Sequence, residues 1–136
     1  MRLLLDTNII MEIITKRSNY EESLHILRCC EANIVDGFVT ATTITDLIYI
    51  LRKYIGPENV RDTVQKLLLT IDVAGVLKSD ILAAFLSGMK DFEDAVQVSC
   101  AGRIKADYIV TRNAKDFKDS PIPAVLPNDA MMLLKL

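Results

Sequence analysis

The sequence has one histidine and three cysteines, and none of them stands where chemistry would need it. Cys29, Cys30 and Cys100 are odd in number and lack metal-ligand spacing, so they read as small buried hydrophobes of a reducing compartment. His25, between Leu24 and Ile26 on an amphipathic segment, reads as a partly buried structural residue. No serine or cysteine has a histidine partner, which disfavours a nucleophilic triad. Glycine loops that cradle phosphates are also missing, since neither a Walker A run nor a G-x-G-x-x-G run occurs. No apolar run approaches a membrane span, so no membrane association is expected. A net charge of −2 excludes a global basic field for non-specific nucleic-acid binding. Met1 leads straight into an apolar run without a charged or hydrophobic leader, so the expected location is cytoplasmic. Linkers, low-complexity stretches and repeats are absent, and 136 residues with 51% apolar content suit one domain over residues 1–136.

What is present is an alternation of short apolar runs with helical periods, the pattern of a parallel sheet. Strands are predicted at Arg2–Leu5, Asn33–Thr40, Thr70–Val73, Tyr108–Thr111 and Ala124–Val125. Helices are predicted after Asp6, over Tyr20–Cys30, Thr43–Tyr54, Glu58–Leu69, Asp80–Leu86 and Phe92–Ile104, with a short one at the C-terminus. The expected fold class is α/β: a single three-layer α/β/α domain around a central parallel sheet of about five strands.

The first apolar run, MRLLLD, stops on a carboxylate at the C-terminal end of a strand, where open α/β sheets place their ligands. Asp46 and Asp94 lie near later helix starts, and right-handed crossovers would bring all three to one rim. Asp116, in the turn after the Tyr108–Thr111 strand, would be a fourth acid there. Each acid alone also reads as a helix cap: Asp6 precedes a helix, and the pairs Thr43/Asp46 and Asp91/Asp94 have capping-box spacing. Taken jointly, convergent carboxylates without histidine or cysteine suggest a Mg²⁺ or Mn²⁺ site and phosphate chemistry. An aspartyl phosphatase would carry a second Asp where Asn8 stands. A receiver would want an acidic pair before the first helix and a lysine ending a late strand, and neither is evident. Water activated by carboxylate-held metal is the simplest remaining mechanism.

The segments LLLDTNII, ITDLIYILRK, DFEDAVQ and ADYIVTRNAKDF, in that order and spacing, resemble a PIN domain over essentially the whole chain. They are most similar to the branch with a T-R-N-x-K-D-F signature, here Thr111–Phe117. The resemblance implies a metal-dependent ribonuclease, with many small bacterial members being toxins of the VapBC type. It implies that Asp6 is the first metal-binding acid, Asp46 the second, where Glu is commoner, and Asp94 the third. The position that carries Asp after the strand-end threonine in many members is Asn113 here. Asp116, three residues on, and Asp91, one helical turn before Asp94, are the candidates to restore that charge, and Asp116 is preferred because Asn-x-x-Asp spacing places both groups on one face. The expected catalytic set is thus Asp6, Asp46, Asp94 and Asp116, with metal held by Asp6, Asp94, Asp116 and Asp91.

Asn8, Thr111, Arg112 and Asn113 are expected to orient water, phosphate or substrate, and Lys115 to help hold the RNA backbone. Lys16 and Arg17 read either as further contacts to that backbone or as solvated helix ends, and the second reading is preferred. The expected partners are RNA, single-stranded, a small antitoxin that fills the acidic groove, and a second copy of the chain. Ile13, Tyr20 and Leu24 read either as a dimer or antitoxin face or as core. The alternative function is a catalytically weak PIN-like module that binds nucleic acid or protein, with Asn113 as its support.

Overall fold

All five predicted strands form and pair in parallel, in the spatial order β3-β2-β1-β4-β5. The computed structural model describes residues 1–134. The strands are β1 (Arg2–Leu5), β2 (Asp36–Thr40), β3 (Asp72–Ala74), β4 (Tyr108–Val110) and β5 (Ala124–Val125). The helices are α1 (Thr7–Thr15), α2 (Tyr20–Glu31), α3 (Ala41–Ile55), α4 (Pro57–Leu67), α5 (Lys78–Leu86), α6 (Phe92–Arg103) and α7 (Pro127–Leu133), with a 3-10 turn at Ala114–Phe117. No described helix is long and apolar enough to cross a membrane.

β1 is the central strand, buried on both faces as its unbroken apolar run requires. Its side chains alternate between two layers of helices. Leu3 and Leu5 join Ile9, Ile26, Leu47 and Val60 from α1 to α4 on one face. Leu4 joins Val98 and Ala101 of α6 with Ile109 of β4 on the other. That second layer is closed by an ion pair between buried Asp80 and exposed Arg103. Asp80, 2% exposed, accepts bonds from the Leu77 N–H (2.8 Å), the Ser99 hydroxyl (2.8 Å) and Arg103 Nη2 (3.0 Å). Burial alone would raise its pKa, but the Leu77, Arg103 and Ser99 bonds hold it below the ordinary value. Arg103 also donates to the Gly75 carbonyl, tying α6 to the end of β3.

Several boundaries differ from the sequence-based expectation for local reasons. β2 begins at Asp36 rather than Asn33, because the amides of Asn33 and Ile34 close the end of α2 on the Cys30 and Cys29 carbonyls. Asn33 is left-handed there, with φ 58°. β3 begins at Asp72 because the Thr70 and Ile71 amides bond to Leu67 at the end of α4. α3 begins at Ala41 rather than Thr43, capped by the Thr40 hydroxyl, which accepts from the Thr43 N–H at 3.3 Å. Thr43 is therefore inside the helix, and Asp46 lies in its second turn, outside any capping box. His25 is exposed, not partly buried, because it points away from the stripe that carries buried Ile26. Ile13 packs partly against the core, while Tyr20 and Leu24 are half-buried.

Close approach of α2 to β2 makes a direct demand on Gly37. A Cβ there would meet Cys30 Sγ at 2.5 Å and Ile71 Cγ2 at 3.2 Å. Gly37→Ala is therefore expected to destabilise the fold by about 1–3 kcal/mol through overpacking. Adding Cys30→Ala should recover most of that loss. Urea midpoints for the two variants check this, and a wild-type midpoint for Gly37→Ala would show that the helix and strand can separate freely.

Candidate active site

The strand order reverses between β1 and β4, and the C-terminal ends of these two strands bring Asp6 and Thr111 together. The Asp6 N–H donates to the Val110 carbonyl at 3.0 Å, extending the ladder by one residue. Asp6 then occupies the N-cap position of α1 with extended dihedrals, yet its side chain makes no capping bond. Its carboxylate turns the other way. Oδ2 accepts from the Thr111 hydroxyl at 2.8 Å and Oδ1 from Gln97 Nε2 at 3.1 Å. Asp6 is 4% exposed, and none of the salt bridges among the described residues includes it. Two neutral donors thus fix a buried carboxylate and leave its charge uncompensated.

A second set of hydroxyls fixes the neighbouring helix start. Thr7 Oγ1 lies 2.8 Å from Thr43 Oγ1, which is 3.3 Å from Thr40 Oγ1, so the first turns of α1 and α3 are linked through buried threonines. This linkage brings Asp46 across from Asp6. On the third side Asp91 caps α6, accepting from the Asp94 N–H at 2.9 Å, as capping-box spacing predicts.

The result is a cavity of about 220 Å³ walled by Asp6, Asp46, Asp91, Glu93, Asp94 and Gln97, with no lysine or arginine among its lining residues. The carboxylates act on one another. Burial, then the charges of Asp91, Asp6 and Asp116, push the pKa of Asp94 up to about 7. Glu93 is an exposed residue whose carboxyl faces Asp46; burial of that group, the hydrogen bond to Asp46 and the Asp46, Asp91 and Asp6 charges push it up to about 7. A hard, oxygen-only, strongly anionic donor set suits Mg²⁺ or Mn²⁺. Among the described residues, no three carboxylates are gathered closely enough to hold a metal ion as they stand. Mutual repulsion between uncompensated acids opposes any closer approach.

The other candidate residues fall around this cavity. Asn8 is on its rim. Asp116 lines an adjoining cleft of about 580 Å³ that shares Asp91 and Asp94 with the acid cavity, while Asn113 lines a different cleft, on the Asn8 side. The helical-turn argument for Asn113 and Asp116 fails because Asn113 precedes the 3-10 turn with φ −114° and ψ 50°, outside helical geometry. Arg112 lines the cleft on the Asn8 side, fixed there by hydrogen bonds. It donates to Glu12 through Nε and Nη2 (both 2.9 Å), to Glu22 through Nη1 (2.9 Å) and to the Asn19 carbonyl (2.7 Å). Glu93 and Gln97 were missed by the sequence reading. Gln97 was detectable in principle, since it follows Asp94 by three residues on one helix and must share its face.

The raised acids give the fold a pH dependence. Asp94 and Glu93 hold a proton more tightly in the folded chain than at their ordinary values of 3.8 and 4.5. The folded state therefore binds more protons than the unfolded one across that interval, and stability falls as pH rises from about 4 to about 8, then levels off. The melting temperature of the metal-free protein is expected to drop between about pH 5 and pH 8, with Asp94→Asn removing part of the drop. Saturating Mn²⁺ should reverse it. A pH-independent melting temperature in Asp94→Asn and wild type alike would contradict the crowding of charge.

Comparison with known proteins agrees with this architecture. The PIN domain family model matches residues 2–115. No curated protein sequence matches the chain. Among solved structures, VapBC2 from Rickettsia felis bound to a promoter DNA fragment is similar with a TM-score of 0.71 at 20% identity, over 93% of this chain and 98% of the other. A toxin–antitoxin complex from Klebsiella pneumoniae has a TM-score of 0.70 at 21% identity, covering 92% and 97%. DNA-bound VapBC from Salmonella typhimurium has a TM-score of 0.71 at 18% identity, covering 93% and 98%. A family match over most of its length, on a fold those structures share, makes this chain a member of the PIN domain family.

Proposed function

We propose that this protein is a metal-dependent endoribonuclease that hydrolyses phosphodiester bonds of single-stranded RNA, and that it is the toxin of a toxin–antitoxin pair. One observation carries the chemistry: a buried carboxylate at the switch point of the sheet, aimed by two neutral donors into a cavity lined with four further acids and no cation. Asp6, Asp94, Asp46 and Glu93 would hold Mg²⁺ or Mn²⁺, with Asp91 and Asp116 adding charge beside Asp94. A metal held there would supply Lewis acidity for activating water and offsetting phosphate charge. Thr111 and Gln97 keep Asp6 in one rotamer, so no reorganisation is needed when substrate arrives. Thr7, whose hydroxyl faces the cavity, is tied to Thr43 and is not poised as a nucleophile, which leaves the attack to water. The partners proposed are an antitoxin whose arginine enters the acid cavity and a second copy of this chain. The similar solved complexes support the antitoxin.

Two observations favour a second reading, a catalytically weak binding module: the acids are not gathered for coordination, and Asn113 adds no charge. Mn²⁺-stimulated cleavage of a panel of single-stranded RNAs separates the readings. Cleavage is expected for the wild type and none for Asp6→Asn, whose fold should survive because Asn suits an N-cap position as well as Asp. Retained cleavage in Asp6→Asn would remove this residue from the metal site.

Gln97→Leu and Thr111→Val are expected to weaken metal affinity by roughly 10–100-fold, the usual cost of removing the partner that orients a ligand. Asp116→Asn should weaken metal binding measurably, and Asn113→Asp should change it little, because Asn113 faces the other cleft. Titration of Mn²⁺ by calorimetry checks the four variants, and a large gain in affinity for Asn113→Asp would reverse the assignment of the fourth acid.

A further inference from the structure

One polar atom in the wall of the acid cavity has no partner. Gln97, 1% exposed and carried by α6, lines that wall. Its Nε2 donates to Asp6 Oδ1 at 3.1 Å, while Oε1 is sealed from water and bonds to nothing among the described residues. Chemistry fixes which way the amide lies, because an ionised carboxylate only accepts and so must face the nitrogen. A buried amide oxygen left unpaired costs stability and calls for an occupant that supplies the missing partner.

The cavity wall does not supply it. No carboxyl, amide or hydroxyl of the wall bonds to Oε1, and the Thr7 hydroxyl is tied to Thr43. The two neutral donors at the site, Gln97 Nε2 and the Thr111 hydroxyl, are both spent on Asp6. What enters must therefore be electron-poor, either a metal ion or a protonated side chain. Distance chooses between them. A hydrogen-bonded nitrogen stands about 2.9 Å from its acceptor, whereas Mg²⁺ sits about 2.1 Å from a ligand oxygen and needs less room beside an enclosed one.

The amide also bears on the spacing of the acids. Among the described residues no three carboxylates are gathered for coordination, and their mutual repulsion opposes it. An amide oxygen is a hard ligand without charge. It can stand beside Asp6 in the metal-free protein, where a further carboxylate would be repelled.

Resting on the metal-dependent reading above, we propose that Gln97 is itself a ligand of the divalent ion: its Oε1 coordinates the metal while its Nε2 holds Asp6. One neutral side chain then both orients the first carboxylate and adds an oxygen that the separated acids do not provide.

Gln65 and Gln97 are the two glutamines of the chain, and Gln65 is exposed on α4. Carbon-13 at the glutamine side-chain carbonyl therefore gives two resonances, one of them an internal control, and Gln97→Leu assigns them. Titrating the full chain with Mg²⁺ should move the Gln97 resonance with the same midpoint as the calorimetric heat and leave Gln65 in place. A crystal grown with Mn²⁺ should hold the ion within about 2.6 Å of Oε1. Gln97→Glu and Gln97→Met both lose the donor to Asp6 and differ in the oxygen, so Mn²⁺ should bind Gln97→Glu roughly 10-fold or more tightly than Gln97→Met. Heat with an unmoved Gln97 carbonyl, an ion beyond that distance, or equal affinities of the two variants overturns the proposal and leaves the ribonuclease reading standing. A Gln97 shift without cleavage of any RNA supports the ligand and sinks the ribonuclease reading. Neither heat nor shift with Mg²⁺ or Mn²⁺ overturns both. A carbonyl that moves only with an arginine-containing peptide makes Oε1 a partner contact and overturns the proposal.

Discussion

The hydrogen bond from Thr111 to Asp6 joins the ends of the two strands between which the sheet changes direction, and the rest of the site is arranged around it. A carboxylate at the N-cap position of a helix ordinarily turns back to that helix's own amides. Here Thr111 and Gln97 take both of its oxygens and turn it outward instead. One strand-end threonine and one helical glutamine thus change a local capping group into part of a shared cavity. The two donors come from β4's end and from α6, so the geometry of Asp6 depends on the register of β1 on β4 and on the docking of α6.

Charge is handled differently at the three buried acidic centres. Asp80 and Glu12 each meet an arginine, and these pairs brace loops and helix ends. Removing one partner from such a pair would strand a buried charge, so they behave as structural pins. The acids around Asp6 meet no arginine or lysine within their cavity. Asp94 and Glu93 respond by holding protons up to about neutral pH. A protein that neutralises two acidic centres internally and leaves the third uncompensated carries a site suited to an external cation.

The tertiary arrangement also redistributes the basic residues. Arg112 stands immediately after the strand-end threonine and reads in sequence as a substrate contact, but the approach of α1 and α2 surrounds it with Glu12, Glu22 and the Asn19 carbonyl. The cations of the flanking clefts are Arg17 and the paired Arg112 on one side and, among Asp91, Asp94, Asp116 and Asp119, Lys90, Lys115 and Lys118 on the other. They come from three separate loops, so no run of basic residues marks the groove.

The order of elements, the parallel sheet and the position of Asp6 were legible in the sequence because each depends on local pattern: an unbroken apolar run for a strand buried on both faces, and an acid ending it. The Asp91 cap of α6 was legible for the same reason, since cap and amide lie three residues apart. The remaining features required contacts between residues far apart in the chain. Asp6 and Gln97 are 91 positions apart and Asp6 and Thr111 are 105, so no local rule distinguishes a capping aspartate from one held away from its helix. Glu93 drew no notice beside Asp94, and its role emerged only when α3 brought Asp46 to face it. Asn113 and Asp116 have the spacing of neighbours, yet the backbone at Asn113 leaves helical space and sends them to different clefts. The sequence by itself determined which segments become strands and helices and that an acid ends the central one. The tertiary structure decided which acids share a cavity and which cations are left to flank it, because electrostatic interaction depends on separation in space and not along the chain.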